Sequence, residues 1–262
     1  MSQNQFPNPY GTPSTPIAPT TPATPASRVS LSPGVTASPA ALGVRPDARL
    51  ATAFLSQAFL WMFVGLLVTA GVAAAVRSSE SLLEFASGNF FILFILQIGI
   101  VIGITAAINR ISAIAALGLF FVYAASLGIT IGLIVASYTT GSVVTAFLSA
   151  SAMFGAAAIY GHVTKRSLAA MGSLLFMGLI GLLVAMVLNI FLQSSAVTWL
   201  ISIVGVVLFT ALTAYDVQRI QSGAIAAQTG SMEKAAVIGA LQLYLDFINL
   251  FLFMLRLFGG RN

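Results

Sequence analysis

Residues 241 to 251 read Leu-Gln-Leu-Tyr-Leu-Asp-Phe-Ile-Asn-Leu-Phe, and they place the carboxylate of Asp246 inside an otherwise apolar run. A charged side chain at the centre of a membrane helix costs roughly 2.5–3.5 kcal/mol, so an acid retained there usually has a partner and a function. The nearest candidate partner upstream is Asp216, in the segment Leu-Thr-Ala-Tyr-Asp-Val-Gln-Arg-Ile at residues 212 to 220. We expect these two acids to form the working centre of the protein.

The composition places this acid in a membrane protein. Hydrophobic residues make up 58% of the chain and charged residues 6%, with a mean hydropathy of +1.01. Soluble domains carry about 25% charged residues. The net charge of +5 comes from basic residues scattered singly along the chain, which argues against a nucleic-acid partner.

Two kinds of site are excluded or disfavoured by residue counts. The chain has no cysteine, so disulfides, thiol nucleophiles and cysteine metal sites are excluded. It has a single histidine, His162, so a zinc site would depend on carboxylates and is not expected.

The N-terminal part differs from the rest. Residues 1 to 48 are rich in Pro, Thr, Ser and Ala, which predicts a disordered tail ahead of a membrane domain at residues 49 to 262. A secretory signal is the rival interpretation, but no basic region opens the chain and the first apolar run is too long.

Runs without charge predict seven membrane helices, since about 20 residues cross ~30 Å of hydrocarbon. Polar residues at 138 to 142 and at 193 to 195 divide the two longest runs, and residues 221 to 234 form the most polar connection. The predicted spans are Ala51 to Val76, Phe85 to Asn109, two between Ile111 and Thr164, two between Ser167 and Tyr215, and about Ala235 to Phe258.

The distribution of Lys and Arg predicts a cytoplasmic N-terminus, because eight basic residues then lie inside and three outside. A re-entrant last run would bring Arg256 and Arg261 inside as well. The charge count therefore leaves open whether the last span crosses fully.

Asp216 and Asp246 lie on consecutive antiparallel helices. If the connection is centred near residue 230, they lie at similar depth and can meet. Two carboxylates in a poorly hydrated site tend to hold one shared proton and to titrate as a unit. Deprotonated, they offer the oxygen ligands that calcium prefers. Arg110, predicted on the same side, is a candidate latch that pairs with a deprotonated acid.

Simpler roles compete with each assignment. Asp246 would then only tie helices together by hydrogen bonds, Asp216 would cap its helix at the interface, and Arg110 would anchor a cytoplasmic loop. Two small-residue motifs, Gly99-x-x-x-Gly103 and Gly128-x-x-x-Gly132, predict close helix packing.

The segments Tyr-Leu-Asp-Phe-Ile-Asn-Leu-Phe (244–251), Leu-Arg-Leu-Phe-Gly (255–259) and Tyr-Asp-Val-Gln-Arg-Ile (215–220) resemble the Bax inhibitor-1 family, in its bacterial form. The resemblance implies an all-α, seven-helix transmembrane bundle with the C-terminal helix central, and a pH-sensitive calcium leak sensed by Asp216 and Asp246. It also places the latch on Arg110, although Ile-Ser-Ala follows where relatives have basic residues. The implied location is the bacterial cytoplasmic membrane.

Two other functions compete with the calcium leak. Intramembrane aspartyl proteases also pair acids on two spans, but their second motif resembles Gly-x-Gly-Asp and they need a Pro-Ala-Leu motif, whereas this chain has no proline after Pro46. A regulator of cell-death factors or membrane proteases stays open. We expect a non-enzyme without a permanently bound cofactor, with the bilayer, protons and calcium as partners. The sequence leaves the oligomeric state open, and a monomer is compatible with this function.

Overall fold

The computed structural model describes residues 48 to 260, with side chains from residue 52 onward. The tail predicted for residues 1 to 48 therefore lies outside the described residues, apart from Ala48 at its end. Every regular element in the described range is helical.

Seven of these helices are long and apolar enough to cross a membrane, which confirms the predicted all-α membrane fold. Short elements lie between some of them. In chain order the elements are α1 (Ala48–Arg77), α2 (Glu80–Gly88), α3 (Phe90–Ala107), α4 (Ala113–Ala136), α5 (Thr140–Val163), a 3-10 turn (Ala169–Met171), α6 (Gly172–Leu192), α7 (Ser195–Gln221), α8 (Ala224–Thr229) and α9 (Met232–Phe258).

Polar residues that interrupt the apolar runs cap the first turns of helices. The side chains of Ser112, Thr139, Ser194 and Ser231 each accept a hydrogen bond from the backbone N–H three residues on, at the first turns of α4, α5, α7 and α9. Such caps satisfy backbone donors that a helix leaves free. In the same break as Ser194, α6 ends with Gln193 in the left-handed region at φ 50°.

Two predicted loops contain helices. The predicted spans leave residues 77 to 84 as a connection and begin the second span at Phe85, but residues 80 to 88 form α2 and the span begins only at Phe90. Asn89 separates the two helices. The polar connection of residues 221 to 234 holds α8, which begins after Gly223 and ends before Gly230, both at positive φ.

The C-terminal helix is central, as predicted. Within its most apolar window α9 is 78% buried, whereas the corresponding values of the other six spans lie between 11% and 50%. It packs against α1, α4, α5, α7 and α8. Such a helix is shielded from lipid along most of its length.

Contacts at its two ends show that α9 runs from one end of the bundle to the other. Lys234 Nζ lies 3.5 Å from the carbonyl oxygen of Asn109 in the α3–α4 connection. At the other end the N–H of Gly260 donates to Ser142 Oγ at 2.9 Å, beside the α4–α5 connection. With 27 residues the helix is about 40 Å long, so the last run is one continuous helix long enough to cross a membrane, and it does not fold back as a hairpin.

Glycines allow close helix packing at one of the two predicted small-residue motifs but not at the other. A Cβ built on Gly128 or Gly132 would lie within 3 Å of α1 atoms, so α4 packs tightly on α1 there. The prediction is wrong for Gly99 and Gly103, where a Cβ would meet nothing within 4 Å. The helices α5 and α7 also approach closely at Gly161, where a Cβ would overlap the backbone of Ala214.

We expect Gly161→Ala to lower the melting temperature, because its methyl group would overlap the Ala214 backbone, and overpacking costs about 1–3 kcal/mol. Gly155→Ala on the same helix is the matched control, since a Cβ there meets nothing within 4 Å. Thermal unfolding of both purified variants checks this. Equal melting temperatures would show that α5 and α7 are not held at this contact.

Candidate functional site

The α7–α9 contact determines how the two acids lie relative to each other. Ile220 packs against Gly239, and the ring of Phe253 lies against Gly205. Seven residues on from Gly239 along α9 is Asp246, and seven residues back from Ile220 along α7 is Thr213. Thr213 is therefore level with Asp246, and Asp216 lies about one turn, ~4.5 Å, nearer to the Lys234 end of α9.

The structure brings Asp216 and Asp246 together inside the bundle. Their side chains are only 7% and 4% exposed, and their carboxyl groups are close enough to interact electrostatically. The Thr213 side chain lies beside Asp246, while its hydroxyl donates to the Phe209 carbonyl at 2.8 Å. Among the described residues, no group donates a hydrogen bond to Asp246 Oδ2.

A row of polar side chains extends this pair. Gln242, Asp246 and Asn249 are spaced i, i+4 and i+7, so they share one face of α9. Gln242 Oε1 is also buried without a hydrogen-bond partner in the described part of the chain, while Asn249 donates to the Leu245 carbonyl at 2.8 Å. We call the following set the polar seam: Gln242, Asp246 and Asn249 of α9 with Thr210, Thr213 and Asp216 of α7.

Sequence reasoning missed most of the seam. The i, i+4, i+7 spacing of Gln242, Asp246 and Asn249 is visible in the sequence and is the signal that would have found them. Thr210 and Thr213 precede Asp216 at three-residue spacing, but hydroxyls in membrane helices commonly bond their own backbone, as both do here. That Thr210 and Thr213 face the polar side of α9 is evident only from the register of α7 against α9.

The nearest basic residue of α7 is Arg219, which interacts electrostatically with Asp216. Its guanidinium donates to Gln228 Oε1 of α8 at 3.0 Å. Arg110 lies in the α3–α4 turn with its side chain exposed. That side chain makes no hydrogen bond or ion pair with the residues the structure describes. The structure thus does not bring Arg110 to Asp216, and the latch stays a prediction.

Gln218 is a further residue that the sequence did not single out. Its Oε1 accepts from the N–H of Leu168 at 2.7 Å, and its Nε2 donates to the Arg166 carbonyl at 2.8 Å. Gln218 therefore ties the α5–α6 connection to α7, two residues after Asp216.

The acids do not form a ready-made metal cage. In the described range no group of three or more His, Cys, Asp or Glu side chains could hold an ion together. Calcium takes six to eight oxygen ligands, so the pair would need carbonyl oxygens, amides and water beside its carboxylates.

Comparison with known proteins agrees with this architecture. A family model described as inhibitor of apoptosis-promoting Bax1 matches residues 51 to 262. The chain belongs to the Bax inhibitor-1 family. The match covers all seven membrane helices and both acids, so the family resemblance found in the three sequence segments is confirmed.

Bacterial relatives share nearly the whole family domain. The inner membrane protein YbhL of Escherichia coli K12 is 42% identical over 225 residues, covering 84% of this chain and 96% of the relative. An uncharacterized protein of Borreliella burgdorferi is 41% identical over 214 residues, which are 80% of this chain and 92% of that protein. With seven apolar helices and an inner membrane relative, this Bax inhibitor-1 family member is an integral membrane protein.

We expect Gln218→Leu to loosen the α5–α6 connection, because it removes two hydrogen bonds worth about 0.5–1.5 kcal/mol each. Hydrogen–deuterium exchange of residues 164 to 171 should speed up. Gln228→Leu, which removes a glutamine on α8, is the matched control and should leave this segment unchanged. Unaltered exchange in Gln218→Leu would mean that the loop is held by other contacts.

Proposed function

We propose that this protein is a pH-sensitive calcium leak channel in which protonation of Asp216 and Asp246 controls passage of the ion. The observation that carries the proposal is a pair of interacting, buried carboxyl groups at the α7–α9 contact, one of them with an unpartnered oxygen. Buried polar groups are nearly always hydrogen-bonded, so this exception calls for a role.

The seam supplies the ligands that such an ion needs. Ionised carboxylates and the free Gln242 Oε1 are hard oxygen donors, and water completes a calcium coordination shell. Asp216 is the first of the two acids that an ion meets from the Lys234 end, and Asp246 follows one turn deeper. Thr210 and Asn249 lie farther along. Successive weak sites allow an ion to enter and leave, as conduction requires.

Protonation controls this route by changing the charge of the pair. A neutral pair holds neither calcium nor a basic side chain tightly. An ionised pair attracts cations, whether calcium or a basic side chain. In this proposal Arg110 swings in from its exposed turn to pair with Asp216, which would block the route until protonation releases it.

We infer a conducting rather than a catalytic role for the pair. An intramembrane aspartyl protease needs both acids to hold water against a peptide bond. Here Asp246 follows Tyr244 and Leu245, and Tyr244 is fully buried with its hydroxyl against Thr69. A flexible glycine motif that would admit a substrate backbone is missing at this position.

The flux test compares wild-type protein with Asp216→Asn and Asp246→Asn in calcium-loaded liposomes from about pH 6 to about pH 8. We expect wild-type flux to change with pH and the change to be lost in either variant, because asparagine cannot titrate. Glu84→Gln, which removes an exposed acid on α2, is the matched control and should behave like wild type.

Asp246→Glu separates titration from packing. It keeps a titrating group, so we expect its flux to respond to pH, with an altered midpoint, whereas Asp246→Asn does not respond. Melting temperatures of the two variants should differ less than their pH responses do. Flux equal to that of empty liposomes, or unchanged pH dependence in both asparagine variants, would refute the leak.

We also propose a cytoplasmic N-terminus in a bacterial cytoplasmic membrane. Among side chains the structure describes, five of the seven basic ones lie at the end of the bundle that holds the α3–α4, α5–α6 and α7–α9 connections. Such an excess marks the cytoplasmic face. The five are Arg110, Lys165, Arg166, Arg219 and Lys234, against Arg77 and Arg256 at the other end.

Single-cysteine labelling tests this orientation cleanly, because the chain has no natural cysteine. A membrane-impermeant maleimide should label Ser81→Cys on α2 in intact cells. It should label Ser222→Cys, between α7 and α8, only after the membrane is permeabilised. The reverse pattern would place the N-terminus outside.

A further inference from the structure

A groove opens on the side of the bundle between α1 and α5. The two helices meet at an edge-to-face contact of Phe59 with Phe154, with centroids 6.3 Å apart, and where Arg77 Nη2 donates to Thr140 Oγ1 at 3.0 Å. Between these contacts they separate and leave a cavity of about 580 Å³. We call it the α1–α5 groove.

The groove is apolar along its length. Its floor consists of Phe247, Ile248 and Phe251 of α9, with α4 residues beside them. On its sides Ala70 and Ala74 of α1 and Val144 of α5 are exposed, so the groove faces the surrounding lipid. Its volume is in the range of about 300–1,000 Å³ found for small-molecule sites.

One end of the groove carries a cation. Arg77 lines it together with Ser78, and its side chain is half-buried. The bond to Thr140 uses one of the five N–H donors of a guanidinium, and Arg77 forms no ion pair with a carboxylate among the described residues. Glu80 and Glu84 follow on α2 but are exposed and leave Arg77 unpaired. The guanidinium therefore has N–H donors left that fit an anion.

We propose that the α1–α5 groove binds a phospholipid, with one acyl chain between α1 and α5 and the phosphate on Arg77. The complementarity is twofold, since the apolar walls match an acyl chain and the guanidinium fork matches a phosphate. A phospholipid also carries these two groups in the order that the groove presents them, with the charge at the end of the bundle. The ligand is available in the leaflet that surrounds the groove.

A bound chain would also contact α9, whose floor residues Phe247 and Phe251 are otherwise buried by neighbouring helices. Phe247 and Phe251 contact Phe147 of α5 edge to face, at centroid distances of 5.6 and 6.4 Å, and form the floor on which the chain lies. Phe247 follows Asp246 directly. The lipid thus completes the apolar wall behind the polar seam.

Native mass spectrometry of the delipidated full-length protein tests the proposal, with phosphatidylglycerol as the probe and a diacylglycerol of the same chains as the second arm. We expect one tightly held phosphatidylglycerol and much weaker retention of the diacylglycerol. Arg77→Gln should weaken phosphatidylglycerol binding about tenfold, the effect of losing a charge-assisted hydrogen bond. Ala74→Trp, which fills the groove, should abolish it.

Two control variants keep the test specific. Ala75→Trp adds the same bulk to the next α1 residue, which is exposed but does not line the groove, and should bind like wild type. Thr140→Val removes the Arg77–Thr140 bond but leaves the charge, so it should retain the lipid if Arg77 acts on the phosphate. Equal binding of the two lipids, or equal loss in Ala74→Trp and Ala75→Trp, would overturn the proposal.

Discussion

Hydrocarbon cannot hydrate a polar group, so each polar side chain within the seven spans must find its partners inside the bundle. The C-terminal helix carries four polar side chains in the middle of its span, Gln242, Tyr244, Asp246 and Asn249, within eight residues. Its central position follows from this load, because only a helix surrounded by others can keep such groups from lipid. The remaining spans pack around this helix and cover its polar side chains.

Hydrogen bonds between spans show how the covering helices are tied together. Thr69 of α1 contacts the Tyr244 hydroxyl at 2.5 Å and donates to the Ala124 carbonyl of α4 at 2.9 Å. Gln97 of α3 donates to Thr130 and to the Ser126 carbonyl of α4. Against this background of satisfied groups, the free oxygens of Asp246 and Gln242 stand out within the described residues. Both belong to the polar seam, which is where the proposed leak places its ion.

Much of this architecture could be predicted because a membrane span is recognised from the hydrophobicity of a single continuous stretch of sequence. Charge-free runs located the seven spans, polar residues located the breaks, and the motif around Asp246 indicated the family. The helices α2 and α8 were missed because short polar helices at a surface have no apolar signature. Gly99 and Gly103 show the limit of motif reasoning, since spacing alone cannot say whether a helix face meets protein or lipid. The role of Thr213 needed the α7–α9 register, and that of Gln218 needed the contact of α7 with the α5–α6 connection; both depend on packing between distant segments.

The most direct measurement concerns the electrostatic interaction between the two acids. Infrared spectroscopy with ¹³C-labelled aspartate follows the protonated carboxyl band of Asp246, and the chain has only three aspartates, so the band can be assigned with single variants. If the carboxyl groups interact across the α7–α9 contact, Asp216→Asn must move the pH midpoint of the Asp246 band. An Asp246 midpoint that is the same with and without Asp216 would contradict a shared site.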